Sequence, residues 1–230
     1  MSAPSVHTTS GNRVVVIGSG FGGLAAAIRL QARGYQVTIV DQRDQPGGRA
    51  YVYRDKGYVF DAGPTVITAP FLFDELFSLC GRRREDHVTF VPVTPFYRIR
   101  FHDGRLFDYS GDPDRMAEEV RKISPGDVDG YSRFVTEAER IFKVGFEDLA
   151  DVPFGRMTDM LRIVPAMMRL RSYLTVHQMV SHYVRHPDLR TVLSFHPLLV
   201  GGNPYKTTSS YALILCLERN WGVWFARVGT

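Results

Sequence analysis

The chain has 230 residues, 44% of them hydrophobic and 23% charged, with a formal net charge of +4. That balance supports one large core or two small ones, and it excludes disordered, collagen-like and coiled-coil chains as the main state. No apolar run, Tyr211 to Leu217 included, approaches the roughly 18 residues needed to cross a bilayer. The basic residues are scattered, apart from the run Arg82 to Arg84, so nucleic acid is not an expected partner. Cys80 and Cys216 are far apart in apolar surroundings, which predicts buried thiols in a reducing compartment and a cytoplasmic location.

Residues 1–12 are small and polar without an apolar segment, and are expected to form a disordered extension rather than a signal peptide. Arg13 to Ile17 is a continuous β-branched run, predicting a parallel strand buried on both faces. Gly18-Ser19-Gly20-Phe21-Gly22-Gly23 then supplies Gly-x-Gly-x-x-Gly and leads into an Ala-rich helix, Leu24 to Arg33. Gly34 and Tyr35 end that helix, and Gln36 to Val40 forms a second strand finishing at Asp41. In such a unit Gly18 permits the tight turn, Gly20 lets backbone N–H groups approach a pyrophosphate, and Gly23 lets helix lie against strand. Asp41 can accept from both ribose hydroxyls of an adenosine and disfavours a 2′-phosphate, which argues against NADP. A second glycine pair, Gly47-Gly48, with Arg49 follows where a simple NAD fold would start a helix, as suits a longer cofactor whose pyrophosphate Arg49 partly neutralises.

Further along, His87 to Val93, Tyr97 to Phe101 and Leu106 to Tyr109 alternate and turn like antiparallel strands. Asp112 to Ile123 predicts a helix, and after the Ser124-Pro125-Gly126-Asp127 break the residues Tyr131, Phe134, Val135, Ala138, Ile141 and Phe142 share one helical face. Met157, Met160, Met167, Met168 and Met179 follow, mixed with Leu161, Ile163, Val164 and Leu170 and accompanied by Arg156, Arg162, Arg169 and Arg171. Flexible thioethers beside cations suit a hydrocarbon tunnel or an anionic membrane surface; the alternative is an amphipathic core helix. Asp159 and Arg162, three apart, are a candidate pair that would otherwise be a surface ion pair. His177, His182 and His186 have the wrong spacing for three ligands on one helix, so no metal site is expected.

The sequence resembles the FAD-binding start of the amine oxidase and carotenoid desaturase superfamily, on the second glycine pair and Arg49. Four strings sharpen this: Gly47-Gly48-Arg49-Ala50-Tyr51, Gly57 to Thr68 with its Gly63-Pro64-Thr65 turn, Leu198 to Pro204, and Trp221-Gly222-Val223-Trp224-Phe225. With these the chain is similar to the bacterial and fungal phytoene desaturases from Arg13 almost to its last residue. It departs after Phe225, where Ala226 to Thr230 replace the usual Pro and Gly-Gly pair and the chain stops.

The resemblance implies an α/β fold: a Rossmann-like FAD-binding domain with an α+β substrate domain, truncated because family members are roughly twice as long. The expected division is 13–85 for FAD and 86–230 for substrate. It implies FAD as cofactor, held by Gly18, Gly20, Phe21, Gly22, Gly23, Asp41, Gly48 and Arg49, with Gly63, Pro64 and Thr65 close to the flavin. It places Asp159 and Arg162 near the flavin as catalytic candidates, with a carboxylate such as Asp159 stabilising transient positive charge. The implied reaction is introduction of double bonds into phytoene by hydride transfer from an allylic carbon, with quinone or oxygen as final acceptor, on the cell membrane as a peripheral protein. Rivals are a related FAD oxidase acting on a C30 polyene or an amine, and a non-catalytic nucleotide-binding chain.

Overall fold

The computed structural model describes residues 12–61, 63, 65–150 and 152–228. Pro64 and nearly all of the expected N-terminal extension lie outside the described residues. The first elements in chain order are β1 (Arg13–Ile17), α1 (Phe21–Ala32), β2 (Gln36–Val40), β3 (Val52–Asp55), β4 (Tyr58–Asp61), β5 (Val66–Ile67), α2 (Phe71–Leu79) and β6 (Val88–Pro92). They continue with β7 (Tyr97–Arg100), β8 (Leu106–Tyr109), α3 (Pro113–Ile123), α4 (Val128–Phe142), α5 (Met157–Arg169), α6 (Val176–Tyr183), α7 (Pro187–Leu193), α8 (Leu213–Trp221) and β9 (Trp224–Val228).

Two compact units result, one running to Pro92 and taking back the terminal strand from Trp224, the other spanning Val93–Val223. The sequence-based division after residue 85 therefore differs from the observed one. Pairing is the reason: β6 lies antiparallel to β9 from Val88↔Val228 to Pro92↔Trp224, and β9 also pairs with β5. These ladders bind β6 and β9 into the first unit.

Within that unit β1 and β2 are parallel, in register from Arg13↔Gln36 to Ile17↔Val40, and α1 makes the crossover a parallel pair requires. Gly34, at φ +88°, ends the crossover in a conformation that side chains resist. The prediction of a β1 buried on both faces is not met: Val15 is 61% and Ile17 87% exposed, because α1 packs on one face only and no described residue covers the other. β3 and β4 form a hairpin whose two-residue turn, Lys56-Gly57, has φ of 48° and 84°, as a type I′ turn demands.

The second unit opens with the β7–β8 hairpin. Asp112 starts α3, its carboxylate accepting the N–H groups of Asp114 and Arg115, and Pro113 takes the first helical position. The predicted apolar face of α4 is buried in full, with Tyr131, Phe134, Val135, Ala138, Ile141 and Phe142 packed in a core that includes Leu189, Leu193 and Leu215. A π-helical turn, Lys143–Asp148, extends α4. A Thr175–Gln178 capping box starts α6. α5 differs from its neighbours in having no fully buried residue. The two cysteines also part company. Cys216 is buried, and burial pushes its thiol up to about 12, but Cys80 is exposed at the end of α2, against the expectation of two buried thiols.

Candidate functional site

β1 ends at Ile17 and the chain must reverse into α1 within three residues. Gly18 does this at φ +98°, its N–H donating to the Val40 carbonyl at 2.7 Å. Ser19 faces the end of β2: its N–H and its hydroxyl both donate to Asp41 Oδ2 at 2.6 Å. Gly20 forms the N-cap of α1 without any side-chain cap, and no acidic residue lies in the first turn. The helix therefore starts with unsatisfied N–H groups and its full positive dipole end, the arrangement that attracts a phosphate.

The second glycine pair closes on the first. Gly47 donates its N–H to the Ser19 carbonyl at 2.9 Å, and Gly20 and Gly47 form a parallel bridge. Gly48, at φ +59°, approaches so closely that a Cβ there would lie 2.9 Å from Gly20 Cα. A Cβ on Gly23 would collide with the Gly18 carbonyl oxygen, and one on Gly63 with the Arg49 carbonyl. Gly22, by contrast, has open space around it. Thus Gly18, Gly20, Asp41, Gly48 and Arg49 line one cavity of about 660 Å³, with Gly23 supporting the turn from behind and Gly63 against the backbone of Arg49 and Ala50.

Phe21 and Thr65 lie elsewhere in the same unit. They line an adjoining apolar cavity of about 510 Å³ with Val66, Phe73, Phe90 and Phe225, and Phe21 meets Phe73 edge-on at 5.8 Å.

Three participants escaped the sequence reading: Ser19, Gln42 and Arg43. The Arg43 N–H donates to Asp41 Oδ1 at 2.9 Å, and its guanidinium donates to the Gly48 carbonyl at 2.8 Å while lying 5.2 Å from the Tyr51 ring centroid. The Ser19 hydroxyl, followed by the backbone N–H groups of Arg43 and Ser19, holds the Asp41 carboxyl down to about 2. These bonds use three of the roughly four acceptor positions of a carboxylate, leaving one for an outside hydroxyl where the sequence suggested two. A basic residue two positions after a strand-ending acid was the available signal for Arg43.

The residues present fit a dinucleotide diphosphate. Backbone shaped by glycine leaves room for phosphate oxygens, an uncapped helix N-terminus faces the space, and the guanidiniums of Arg43 and Arg49 offer charge and fork geometry. The remaining acceptor position of Asp41 suits a ribose hydroxyl.

In the second unit, Asp159 and Arg162 form no ion pair. Asp159 Oδ2 instead accepts the N–H of Arg156 at 3.0 Å and caps the start of α5, while Arg162 is exposed. His182 Nδ1 contacts the Gln178 carbonyl at 3.0 Å, and His186 caps α7. A buried polar cluster that the sequence did not suggest joins β7, β8 and α8. Tyr97 donates to Glu218 Oε1 at 2.7 Å, His196 Nε2 lies 3.4 Å from Glu218 Oε2, and the Tyr109 hydroxyl is 3.1 Å from the same nitrogen. The 3.4 Å approach lacks hydrogen-bond geometry, so Oε2 lies beside the ring without a bond to it. Burial, then the Glu218 charge, raises both tyrosine hydroxyls far above their usual value.

A family model described as "Flavin containing amine oxidoreductase" matches residues 21–230. A lycopene-forming phytoene desaturase from Pantoea ananas is 50% identical over 215 residues, which is 94% of this chain and 44% of that protein. A neurosporene-forming phytoene desaturase from Rhodobacter capsulatus is 42% identical over 222 residues, covering 96% of this chain and 42% of that one. Among solved structures, putrescine oxidase bound to putrescine superposes with a TM-score of 0.58 at 15% identity, over 94% of this chain and 45% of its own, a likeness of fold alone. The chain spans under half the length of these relatives. It belongs to the flavin-containing amine oxidoreductase family, whose cofactor is FAD.

Proposed function

We propose that this chain supplies the nucleotide-binding segment and part of the substrate segment of an FAD-dependent phytoene desaturase. The observation that carries the reading is the joined glycine cradle around Gly18, Gly20 and Gly48, on a chain half identical to a lycopene-forming desaturase. Gly18, Gly20, Gly48 and the α1 N-terminus would hold the pyrophosphate of FAD, with Arg49 and Arg43 balancing its charge and Asp41 accepting from a ribose hydroxyl. Bound FAD supplies an electron acceptor able to take a hydride from an allylic carbon of a polyene, conjugation following loss of a neighbouring proton.

This chain's own part is to hold and to exclude. Phe21, Phe73, Phe90 and Phe225 give the first unit an apolar cavity that water has little reason to fill, next to the Gly63 turn that the family resemblance assigns to the flavin's neighbourhood. Asp159 and Arg162 stay candidates for the polyene path. Since Asp159 caps α5, Asp159→Asn, which keeps an acceptor, separates a charge requirement from a structural one. Quinone or oxygen is the proposed final acceptor, and the proposed location is cytoplasmic and peripheral on the cell membrane.

The test is phytoene in liposomes with FAD, given either to this chain or to a chimaera in which the remainder of the Pantoea ananas relative follows it. Visible absorption from a conjugated product in the chimaera is the expected result. A chimaera that binds FAD and yields no conjugated product contradicts the reading.

A further inference from the structure

Among the described residues Asp41 is the one carboxylate lining the glycine cradle, and its two oxygens are not equally engaged. Oδ2 accepts twice from Ser19, from its N–H and from its hydroxyl, both at 2.6 Å. Oδ1 accepts once, from the Arg43 N–H at 2.9 Å. A carboxylate oxygen has two lone pairs, so Oδ2 is full and a single position on Oδ1 is open.

Burial separates the two side chains. Ser19 is 6% exposed and does not line the cavity, whereas Asp41 is exposed and does. A hydroxyl arriving from the cavity therefore meets the carboxylate and finds one acceptor position there. Because the Ser19 hydroxyl, foremost among its donors, holds the Asp41 carboxyl down to about 2, the group is charged at neutral pH and that one bond is charge-assisted. Of the three donors that engage Asp41, two are backbone N–H groups that no side-chain substitution removes. The third is the Ser19 hydroxyl, and it decides whether Oδ2 has room for an outside donor.

We propose that Ser19 is a specificity-determining residue of the cradle: by filling Oδ2 it limits Asp41 to one hydroxyl of an adenosine ribose and leaves the other hydroxyl uncontacted at this carboxylate. This role deepens the FAD assignment above and rests on it, since a pyrophosphate on the glycine turns is what brings the ribose to Asp41. The ligand class is an adenosine diphosphate, which should tolerate loss of one ribose hydroxyl and not of the other.

The experiment is calorimetric titration of the full chain with ADP, 2′-deoxy-ADP and 3′-deoxy-ADP, without flavin. The wild type should bind one deoxy analogue within about twofold of ADP and the other about tenfold more weakly, the loss expected for one charge-assisted hydrogen bond. In Ser19→Ala an Oδ2 position opens, and both analogues should bind about tenfold more weakly than ADP. A serine that only supports the turn would instead shift all three nucleotides by one factor and leave their ranking unchanged. The wild-type ranking requires no variant, so it tests the proposal whether or not Ser19→Ala folds. ADP binding by the wild type with both analogues weakened, as a second acceptor such as the Gln42 amide would give, or with neither weakened, overturns the proposal and leaves the FAD assignment standing. A Ser19→Ala variant that keeps the wild-type ranking does the same. Absence of ADP binding contradicts both, and ADP binding without FAD binding contradicts the FAD assignment alone.

Discussion

Gly22 and Gly23 are neighbours in the same helical turn, yet a methyl group at one meets open space and at the other meets the Gly18 carbonyl. Gly23→Ala should therefore destabilise the first unit by about 1–3 kcal/mol, whereas Gly22→Ala should be neutral or gain up to about 1 kcal/mol from helix propensity. Urea unfolding of the two variants checks the contrast; equal effects would contradict the packing assigned to Gly23. Ser19→Ala should let the Asp41 carboxyl rise from about 2 toward its usual 3.8, read by carboxyl NMR. Because the folded value is depressed, the contribution of Asp41 to stability is present above about 3.8 and disappears as pH falls toward 2, a window that should narrow in Ser19→Ala. The glycines and Asp41 were legible in the sequence, since spacing on a strand-turn-helix-strand pattern specifies them. Arg43 and Ser19 were not, because their roles depend on how the two glycine turns meet in space.

Among the elements, α3 and α4 declared themselves, one through Asp112-Pro113 and the other through its buried stripe. Asp112→Ala removes the acceptor for two N–H groups and should cost about 1 kcal/mol in thermal or urea unfolding. Glu218→Ala leaves the Tyr97 hydroxyl without its acceptor and His196 beside an empty space; a loss of about 1–3 kcal/mol is expected, with a smaller loss for Glu218→Gln, which still accepts from Tyr97. An equal loss for both would mean that the carboxylate charge, not the hydrogen bond, holds the cluster. Neither this cluster nor the β6–β9 ladder could be read in advance. Periodicity is local, while Val88 to Pro92 finds its partner only in the strand that begins at Trp224. α5 was ambiguous for a different reason: apolar residues lie on both sides of the helix, and composition does not say that Ile163, Ala166 and Leu170 are the ones that face inward.

For the molecule as a whole, composition promised an ordinary core, and the second unit has one. The first unit instead leaves Val15 and Ile17 on β1 uncovered, on a chain that spans 44% of its Pantoea ananas relative. Its claim to function rests on the cradle, which addresses the ADP end of the cofactor through Gly18, Gly20, Asp41 and Gly48. Competition at equilibrium tests that claim most directly. FAD bound to the chain, followed by flavin fluorescence anisotropy, should be displaced by ADP and not by FMN, and should be lost in Gly20→Val. No FAD binding, displacement by FMN but not ADP, or unchanged binding in Gly20→Val would contradict the account.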